Sequence, residues 1–414
     1  MRKGLIIVFI LAVIGMLGTG CASGRNFNAR LREIVKPYTF STVRWELGVL
    51  GEAVRGAFSG KDKSNPDVSC VTEYFSLTDR IKKLKSQIET AKARNNQSDA
   101  SSLEEELAGL EAQKAALENR VERTLEEQIE ETFKEQGIFH PFDRHVRVKV
   151  TFPPLDFKLG RPPHVLVVSP RDRIESIREV TLRQDMTTEQ MERIEAEADA
   201  LNVSSLVVNL GGFSGTYPTF VINDASLRFT VDTVAEEWLH QYLAFKPLGF
   251  RYLLDLTGIA RNYEIATMNE TVASMVSKEI GALLTTRYYP LHSGDAEEDK
   301  EDATGFSFSR EMREIRRVVD TLLAEGKVRE AEKFMEEKRL YLLSKGYYIR
   351  KLNQAYFAFH GTYADRPTSI SPIGAELREL RNRSASLKEF LDTVSAMTSR
   401  QDLQNALKER TAGG

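Results

Sequence analysis

Three side chains that can bind a metal ion or move a proton lie within five residues of one another: Glu236, Glu237 and His240. On an α-helix, Glu236 and His240 are one turn apart, so their side chains lie about 6 Å from each other on one face. That spacing allows a carboxylate and an imidazole to reach the same ion. Glu237 is placed to hold a water molecule beside it. The segment therefore predicts a metal centre on a helix.

The spacing follows the H-E-x-x-H pattern of zinc-binding helices except at its first position, where Glu236 replaces a histidine. Zinc also accepts carboxylate oxygens, at about 2.0–2.2 Å, and catalytic zinc sites usually have three protein ligands. A third ligand must come from another segment. Glu270 is the candidate, because it is predicted to open a second helix and Ala273, one turn further on, is small enough for close packing.

The two segments resemble the gluzincin metallopeptidases, in which an H-E-x-x-H helix precedes a helix beginning N-E-x-x-A. The sequence is also similar, over residues 27–391, to bacterial envelope proteins with H-E-W-x-H-x-Y-L and N-E-T-V-A motifs. The resemblance implies that Glu237 is the general base, that His240 and Glu270 bind zinc, and that Glu236 stands in the place of the missing ligand. It also implies that the protein hydrolyses peptide bonds with a metal-activated water.

The glutamate at position 236 leaves alternatives open. Two carboxylates would lower the Lewis acidity of the ion relative to two neutral imidazoles, so manganese, which carboxylates suit, is the alternative to zinc. In the other alternative the site holds no metal. The protein is then a catalytically inactive envelope scaffold or peptide-binding lipoprotein that acts through its helical hairpin. A di-iron bundle, which needs two Glu-x-x-His elements, is disfavoured because only Glu237 and His240 form one and Glu270 is followed by Ala273.

Peptide hydrolysis also requires a hydrogen-bond donor for the oxyanion that forms as water attacks the amide. Three residues are candidates for this role. Tyr263 lies shortly before Glu270, while His360 and Tyr363 belong to a later run rich in aromatic residues. Each can donate a proton, so the sequence leaves the choice among them open.

Apolar patterns predict the elements that position these residues. Beyond Phe229 the pattern is almost wholly helical, including a helix over residues 252–259. Strands followed by helices indicate an α+β fold, with a small β-sheet ahead of a mostly helical lobe. The other predicted elements are strands at 146–152 and 164–170, a helix at 187–201, and a strand pair at 204–210 and 219–223 joined by a Gly-rich turn at 211–215.

Apolar residues recur at steps of three and four from Leu77 to Phe133, with a polar break at residues 94–99. This pattern predicts a helical hairpin or short coiled coil whose arms extend about 25–45 Å. The hairpin is a candidate surface for a protein partner. The expected domains are a signal or anchor segment at 1–24, a helical segment at 25–72, the hairpin at 73–136 and a metallopeptidase-like domain at 137–414.

The N-terminus is typical of an exported protein that stays attached to a membrane. Two basic residues precede an apolar run over residues 5–17, and Cys21 follows small residues, as in bacterial lipoproteins. Lipidation of Cys21, or retention of the apolar run as an anchor, would place the rest of the chain outside the cytoplasm in the bacterial cell envelope. With Cys21 modified, only Cys70 remains, so no intrachain disulfide can form.

The charge balance narrows the range of partners. The chain has 57 basic and 60 acidic residues, a formal net charge of -3, and this offers no electrostatic basis for binding nucleic acid. The expected partners are therefore a peptide or protein substrate and the membrane.

Overall fold

Two small sheets precede a set of helices in the residues that the computed structural model describes, which are 22–40, 67–93, 97–142, 149–290 and 305–412. The strands lie between residues 157 and 222, and helices follow from Leu227 onward. The predicted α+β fold, with a small sheet ahead of a mostly helical lobe, is thereby confirmed. Cys21 and the apolar run before it lie outside the described residues. Within the described ranges, no helix has the length and apolarity needed to cross a membrane.

In the described residues, three α-helices precede the strands: α1 (Ala22–Val35), α2 (Val68–Ala93) and α3 (Gln97–Glu135). Helices α2 and α3 form a hairpin, and its base belongs to the largest hydrophobic core of the molecule. The distal part of the hairpin has a separate apolar core, so the two arms hold each other together away from the body. The buried residues of this distal core are Leu77, Ile81, Leu84, Ile88 and Leu110.

The first sheet has the strand order β3-β2-β4 and is antiparallel. Its central strand β2 (His164–Pro170) covers the predicted range, and it lies between β3 (Arg178–Leu182) and β4 (Val203–Asn209). One face of this sheet packs against α1 and against α4 (Thr188–Asp199), the predicted helix at 187–201. The side chains of successive residues alternate between the two faces, so β3 presents different residues to α1 and to the helical lobe.

The second sheet has the order β1-β6-β5. Strand β6 (Thr219–Ile222) pairs parallel with β1 (Phe157–Gly160) and antiparallel with β5 (Gly212–Phe213), which forms in the Gly-rich segment. The predicted pairing of 204–210 with 219–223 is therefore wrong. Strand β4 pairs along its whole length with β2, which belongs to the other sheet. Strand β2 is longer than β6 and takes the place that the prediction gave to residues 219–223.

The predicted strand at 146–152 is also wrong over residues 149–152, which lie outside the strands; residues 146–148 are not among the described ones. The Phe152 amide donates to the Phe139 carbonyl oxygen at 2.9 Å, and the Trp238 indole donates to the Pro153 carbonyl oxygen at 2.8 Å. These bonds make the segment a connection that ties the end of the hairpin to the helix carrying Glu236.

The helical lobe is built around two long helices that cross in the main core. Helix α5 (Leu227–Leu243) and helix α7 (Tyr263–Tyr288) are joined by α6 (Pro247–Leu256), which corresponds to the helix predicted at 252–259 but begins five residues earlier. The remaining helices are α8 (Phe308–Ala324), α9 (Val328–Ser344), α10 (Gln354–His360), α11 (Pro372–Asn382), α12 (Leu387–Ser395) and α13 (Arg400–Ala412).

Candidate metal centre

Helices α5 and α7 bring three predicted ligands together. One ligand atom from each of Glu236, His240 and Glu270 lies within 4.8 Å of the other two, so the three side chains can hold one metal ion. Helix α7 begins at Tyr263, which places Glu270 about two turns inside it; the prediction that Glu270 opens the helix is wrong. Ala273 is fully buried, as the close packing of the two helices requires.

His240 is held by the residue that precedes Glu270. Its Nε2 atom lies 3.6 Å from Glu270 Oε2, and its Nδ1 atom lies 3.1 Å from the amide nitrogen of Asn269. Asn269 is fully buried, and its Oδ1 atom has no partner in the described part of the chain. A half-turn of this amide would let Oδ1 accept the Nδ1 proton, and would leave the Nε2 lone pair free to bind a cation.

Glu270 receives a hydrogen bond from a residue that sequence reasoning missed. The Tyr252 hydroxyl on α6 donates to Glu270 Oε1, and the Tyr252 ring centre lies 6.0 Å from that of His240. Burial and the negative charge of Glu270 raise the pKa of Tyr252 well above its usual value, so the hydroxyl keeps its proton. Tyr252 thus fixes one oxygen of Glu270 and leaves the other directed at His240.

The surroundings of Glu236 disfavour the ionised form of its carboxyl group. Its Oε1 atom is buried without a hydrogen-bond partner among the described residues. Burial, followed by the negative charges of Glu270 and Glu237, raises the pKa of Glu236 well above its usual value, and the positive charge of Arg366 opposes this only in part. Ionised Glu236 therefore needs a cation nearby, and the three carboxylates supply the field that attracts one.

Glu237 lies against the Gly-rich segment. Ser214 hydrogen-bonds its carboxylate through both side chain and backbone, while burial raises its pKa and the neighbouring His240 lowers it. A Cβ atom at Gly212 would lie 2.5 Å from Glu237 Oε1 and 2.6 Å from Thr233 Cγ2. The segment that was predicted as a plain turn therefore passes close to Glu237, and a side chain at position 212 would force Glu237 and Thr233 to move.

Tyr363 is the oxyanion candidate that lies close enough to Glu270 and Glu236 for their charges to act on it. The Thr271 hydroxyl on α7 donates to the Thr362 carbonyl oxygen at 3.1 Å and accepts from the Ala364 amide at 2.9 Å, which fixes the backbone on both sides of Tyr363. Burial and then the negative charges of Glu270 and Glu236 raise the pKa of Tyr363 well above its usual value. Its hydroxyl is therefore a protonated donor near the proposed ligands.

Arg366 adds a positive charge that sequence reasoning also missed. Its guanidinium lies 4.3 Å from the centre of the Tyr363 ring, a cation–π contact. It is close enough to Glu236 to oppose the rise of that carboxyl group's pKa. In the sequence, Arg366 is connected with the site only by lying three residues after Tyr363. That spacing matches no metal-binding or catalytic pattern, so the sequence did not identify it.

The other two oxyanion candidates lie elsewhere. The Tyr263 hydroxyl donates to the Ala358 carbonyl oxygen at 3.3 Å, which ties the start of α7 to α10. His360 packs against the Tyr356 ring with centres 4.3 Å apart, and burial lowers its pKa to about 3, so its ring is neutral above that pH. Neither residue has a described contact with Glu236, His240 or Glu270.

The donor set fits a divalent cation. Two carboxylates and one imidazole are ligands that zinc and manganese both accept, and the buried oxygen of Glu236 lacks any other described partner. The orienting contacts from Asn269 and Tyr252 are of the kind that surround metal ligands in proteins.

A scan against protein-family models gives no match for this chain, and searches of curated proteins and of solved structures likewise find no similar protein. A functional assignment therefore depends on the chemistry and geometry of the site.

Proposed function

We propose that this chain is a metal-dependent hydrolase that cleaves peptide bonds, with zinc as the metal and manganese as the alternative. The observation that carries the proposal is the convergence of Glu236, His240 and Glu270 within 4.8 Å, with Glu237 next to Glu236 on α5. A cation held by these residues would supply the Lewis acidity that activates water and the scissile carbonyl.

Glu237 acts as the general base in this proposal. Burial raises the pKa of its carboxyl group, which increases its affinity for a proton, and Ser214 holds the carboxylate in place. It accepts a proton from the attacking water and returns that proton to the nitrogen of the leaving amine. A base whose pKa is raised toward neutrality carries out both transfers more readily than an exposed glutamate.

Tyr363 supplies the hydrogen bond to the developing oxyanion. Its raised pKa keeps the hydroxyl protonated at neutral pH, and the contacts of Thr271 hold its backbone. Arg366, stacked on the same ring, adds positive charge near the position where negative charge develops. The remaining groups orient the ligands: Asn269 contacts His240, and Tyr252 donates to Glu270.

The experiment is cleavage of a mixed peptide library, followed by mass spectrometry, with zinc or manganese added and with a chelator in parallel. We expect chelator-sensitive cleavage that falls by about 10²–10⁴-fold in Glu237→Gln. Glu127→Gln, which changes an exposed carboxylate on α3, is the matched control and should retain full activity. Absence of chelator-sensitive cleavage with both metals would contradict the proposal.

A second candidate function is a non-catalytic envelope scaffold that works through the hairpin. The separate apolar core of the distal hairpin favours it, because the arms extend as a self-supporting unit available to a protein partner. Glu236→His separates the two functions. An increase in zinc-dependent cleavage would indicate a hydrolase whose metal site has been weakened, whereas a protein inactive in both forms would favour the scaffold.

A further inference from the structure

A cavity lies between α1 and β3, on the face of the first sheet that packs against α1. It has a volume of about 370 Å³, which is within the range of small-molecule sites. Leu31 and Val35 on α1 and Val180 on β3 form apolar walls. The cavity therefore offers an apolar interior between a helix and the edge strand of the first sheet.

Three cationic side chains line the same cavity: Arg32, Lys36 and Arg178. Glu33 is the one acidic side chain that lines it, so the local charge is positive. Across the described ranges, none of the three cations has a hydrogen bond or an ion pair from its side chain. Positive charges gathered beside apolar walls without counter-ions favour the binding of an anion.

Arg178 is a half-buried arginine without an acidic partner among the described residues. It is half-buried, and burial, followed by repulsion from Arg261 and Arg32, lowers the pKa of its guanidinium. Arg261 has an acidic neighbour in Asp255, 3.7 Å away, but Arg178 has no such partner among the described residues. A partly desolvated arginine without a carboxylate is stabilised when an oxyanion binds.

The alternation of β3 separates this cavity from the metal centre. Arg178 and Val180 line the cavity, whereas Glu179, between them, is close enough to Glu270 for that negative charge to raise its pKa. The cavity is lined by none of Glu236, His240 or Glu270, so a ligand at Arg178 does not require the proposed hydrolase function, and each proposal can fail without the other.

We propose that this cavity binds an alkyl phosphate, with the phosphate held by Arg178, Arg32 and Lys36 and the start of the alkyl chain against Leu31 and Val35. The guanidinium of Arg178 offers paired donors to phosphate oxygens, and the apolar walls exclude water from the chain. The same chemistry occurs in a free phosphate ester and in the headgroup region of an anionic phospholipid.

The test is isothermal titration of the full-length protein with octyl phosphate, inorganic phosphate and octanol. Octyl phosphate should bind at least about tenfold more tightly than either of the others, because it alone engages both the cations and the walls. Arg178→Gln and, as a second variant at an exposed position of α1, Arg32→Gln should each weaken binding by about tenfold. Arg193→Gln, at an exposed arginine of α4 outside the cavity, is the matched control.

Vesicles of phosphatidylcholine with or without phosphatidylglycerol distinguish the two sources of ligand. Vesicle binding that requires phosphatidylglycerol and weakens in Arg178→Gln supports a lipid, while octyl phosphate binding without vesicle binding supports a free ester. The proposal is overturned if octyl phosphate shows no saturable binding, or if Arg178→Gln and Arg32→Gln bind it as tightly as the unchanged protein.

Discussion

The side chains of the metal centre combine negative charge with few compensating contacts. Glu236, Glu237 and Glu270 lie near one another, and burial makes their mutual repulsion costly. Arg366 offsets this only in part. A bound cation would relieve both the repulsion and the unpaired oxygen of Glu236. The same charges would moderate the Lewis acidity of that cation, so activity should depend strongly on which metal is bound.

Tyr363→Phe tests the assigned oxyanion donor. Loss of its hydroxyl should lower kcat by roughly 10²-fold with little change in KM, because the hydrogen bond forms only as charge develops. Tyr263→Phe removes a hydroxyl that donates to the Ala358 carbonyl oxygen, so it should leave kcat unchanged. Steady-state kinetics on one cleaved peptide measures both variants; equal kcat values for them would remove Tyr363 from the mechanism.

The sequence could predict ligands but not the groups that orient them. Glu236 and His240 are separated by one helical turn, so local spacing predicts this pair. Glu270 was inferred from its N-E-x-x-A motif, and its expected place at the start of a helix was wrong. Tyr252 and Arg366 reach the site from other elements, and no spacing rule connects them with it. Tyr363 and Tyr263 are equally plausible in sequence; only the contacts of Thr271 place one of them near the ligands.

Among the elements, α7 has the largest role in building the site. It carries Glu270 and Asn269, and its buried Thr271 hydroxyl fixes the segment on both sides of Tyr363. Ser274 on the next turn donates to Asp365 at 2.9 Å, which holds the same segment at a further point. One helix therefore positions the proposed ligand Glu270, the residue that contacts His240, and the segment that carries the proposed oxyanion donor.

Thr271→Val should affect both stability and activity. It removes one donor and one acceptor from a fully buried position, which should lower the free energy of unfolding by about 1–3 kcal/mol and reduce kcat through Tyr363. Thr267→Val is the matched control, because among the described residues the Thr267 hydroxyl bonds only to the Tyr263 carbonyl oxygen of its own helix. Chemical denaturation and kinetics should show the larger loss in Thr271→Val; equal losses would contradict this role.

Helix α3 supports the second sheet through the buried Glu122 and the half-buried Glu126. Glu122 Oε1 accepts from the Leu159 amide at 2.8 Å, and Glu126 Oε1 accepts from the Phe157 amide at 3.1 Å. Burial, and then the negative charge of Asp156, raises the pKa of Glu126 from 4.5 to about 8. Between these values the folded protein binds a proton that the unfolded chain has released, so the free energy of unfolding falls as pH rises through this window.

Glu126→Gln should remove this part of the pH dependence, since glutamine keeps the acceptor oxygen but cannot ionise. Between about pH 5 and about pH 9, its Tm should fall less than that of the unchanged protein. Glu127→Gln, at the exposed neighbouring position, should show the unchanged pH dependence. Thermal unfolding across this pH range makes the comparison, and identical slopes for Glu126→Gln and the unchanged protein would rule out this role.

Sequence patterns predicted elements more reliably than their pairing. Strand β2 has the predicted bounds because it is a continuous apolar run ended by Pro170. The pairing of β4 was wrong, since local reasoning joins neighbouring strands and cannot detect that β2 offers seven paired positions from an earlier segment. Which distant strands pair depends on how the two faces of the sheet are buried, and a local sequence pattern does not show this.

The molecule as a whole divides its apolar contacts between a body and an arm. The base of the hairpin shares the main core with α5 and α7, the two helices that carry the proposed metal ligands. The distal arms pack on each other through their own core. The arm and the metal centre should therefore be separable in stability and in function.

Replacing residues 86–109 by a short glycine-containing turn tests this separation. Lys85, directly before the new turn, forms a 2.9 Å ion pair across the hairpin with Glu111, the second residue after it. The body should keep its Tm within about 3 °C and its metal affinity within error, because the removed residues pack within the arm. A lower metal affinity in the shortened protein, measured by titration, would show that the arm contributes to the site.

Binding of zinc and of manganese to the full-length protein, measured by isothermal titration calorimetry, is the direct test of the metal centre. We expect one cation per chain, an affinity reduced by at least about tenfold in Glu270→Gln, and no change in Glu264→Gln, an exposed position on the same helix. Failure of both metals to bind stoichiometrically, or equal affinity in Glu270→Gln and the unchanged protein, would contradict a cation shared by Glu236, His240 and Glu270.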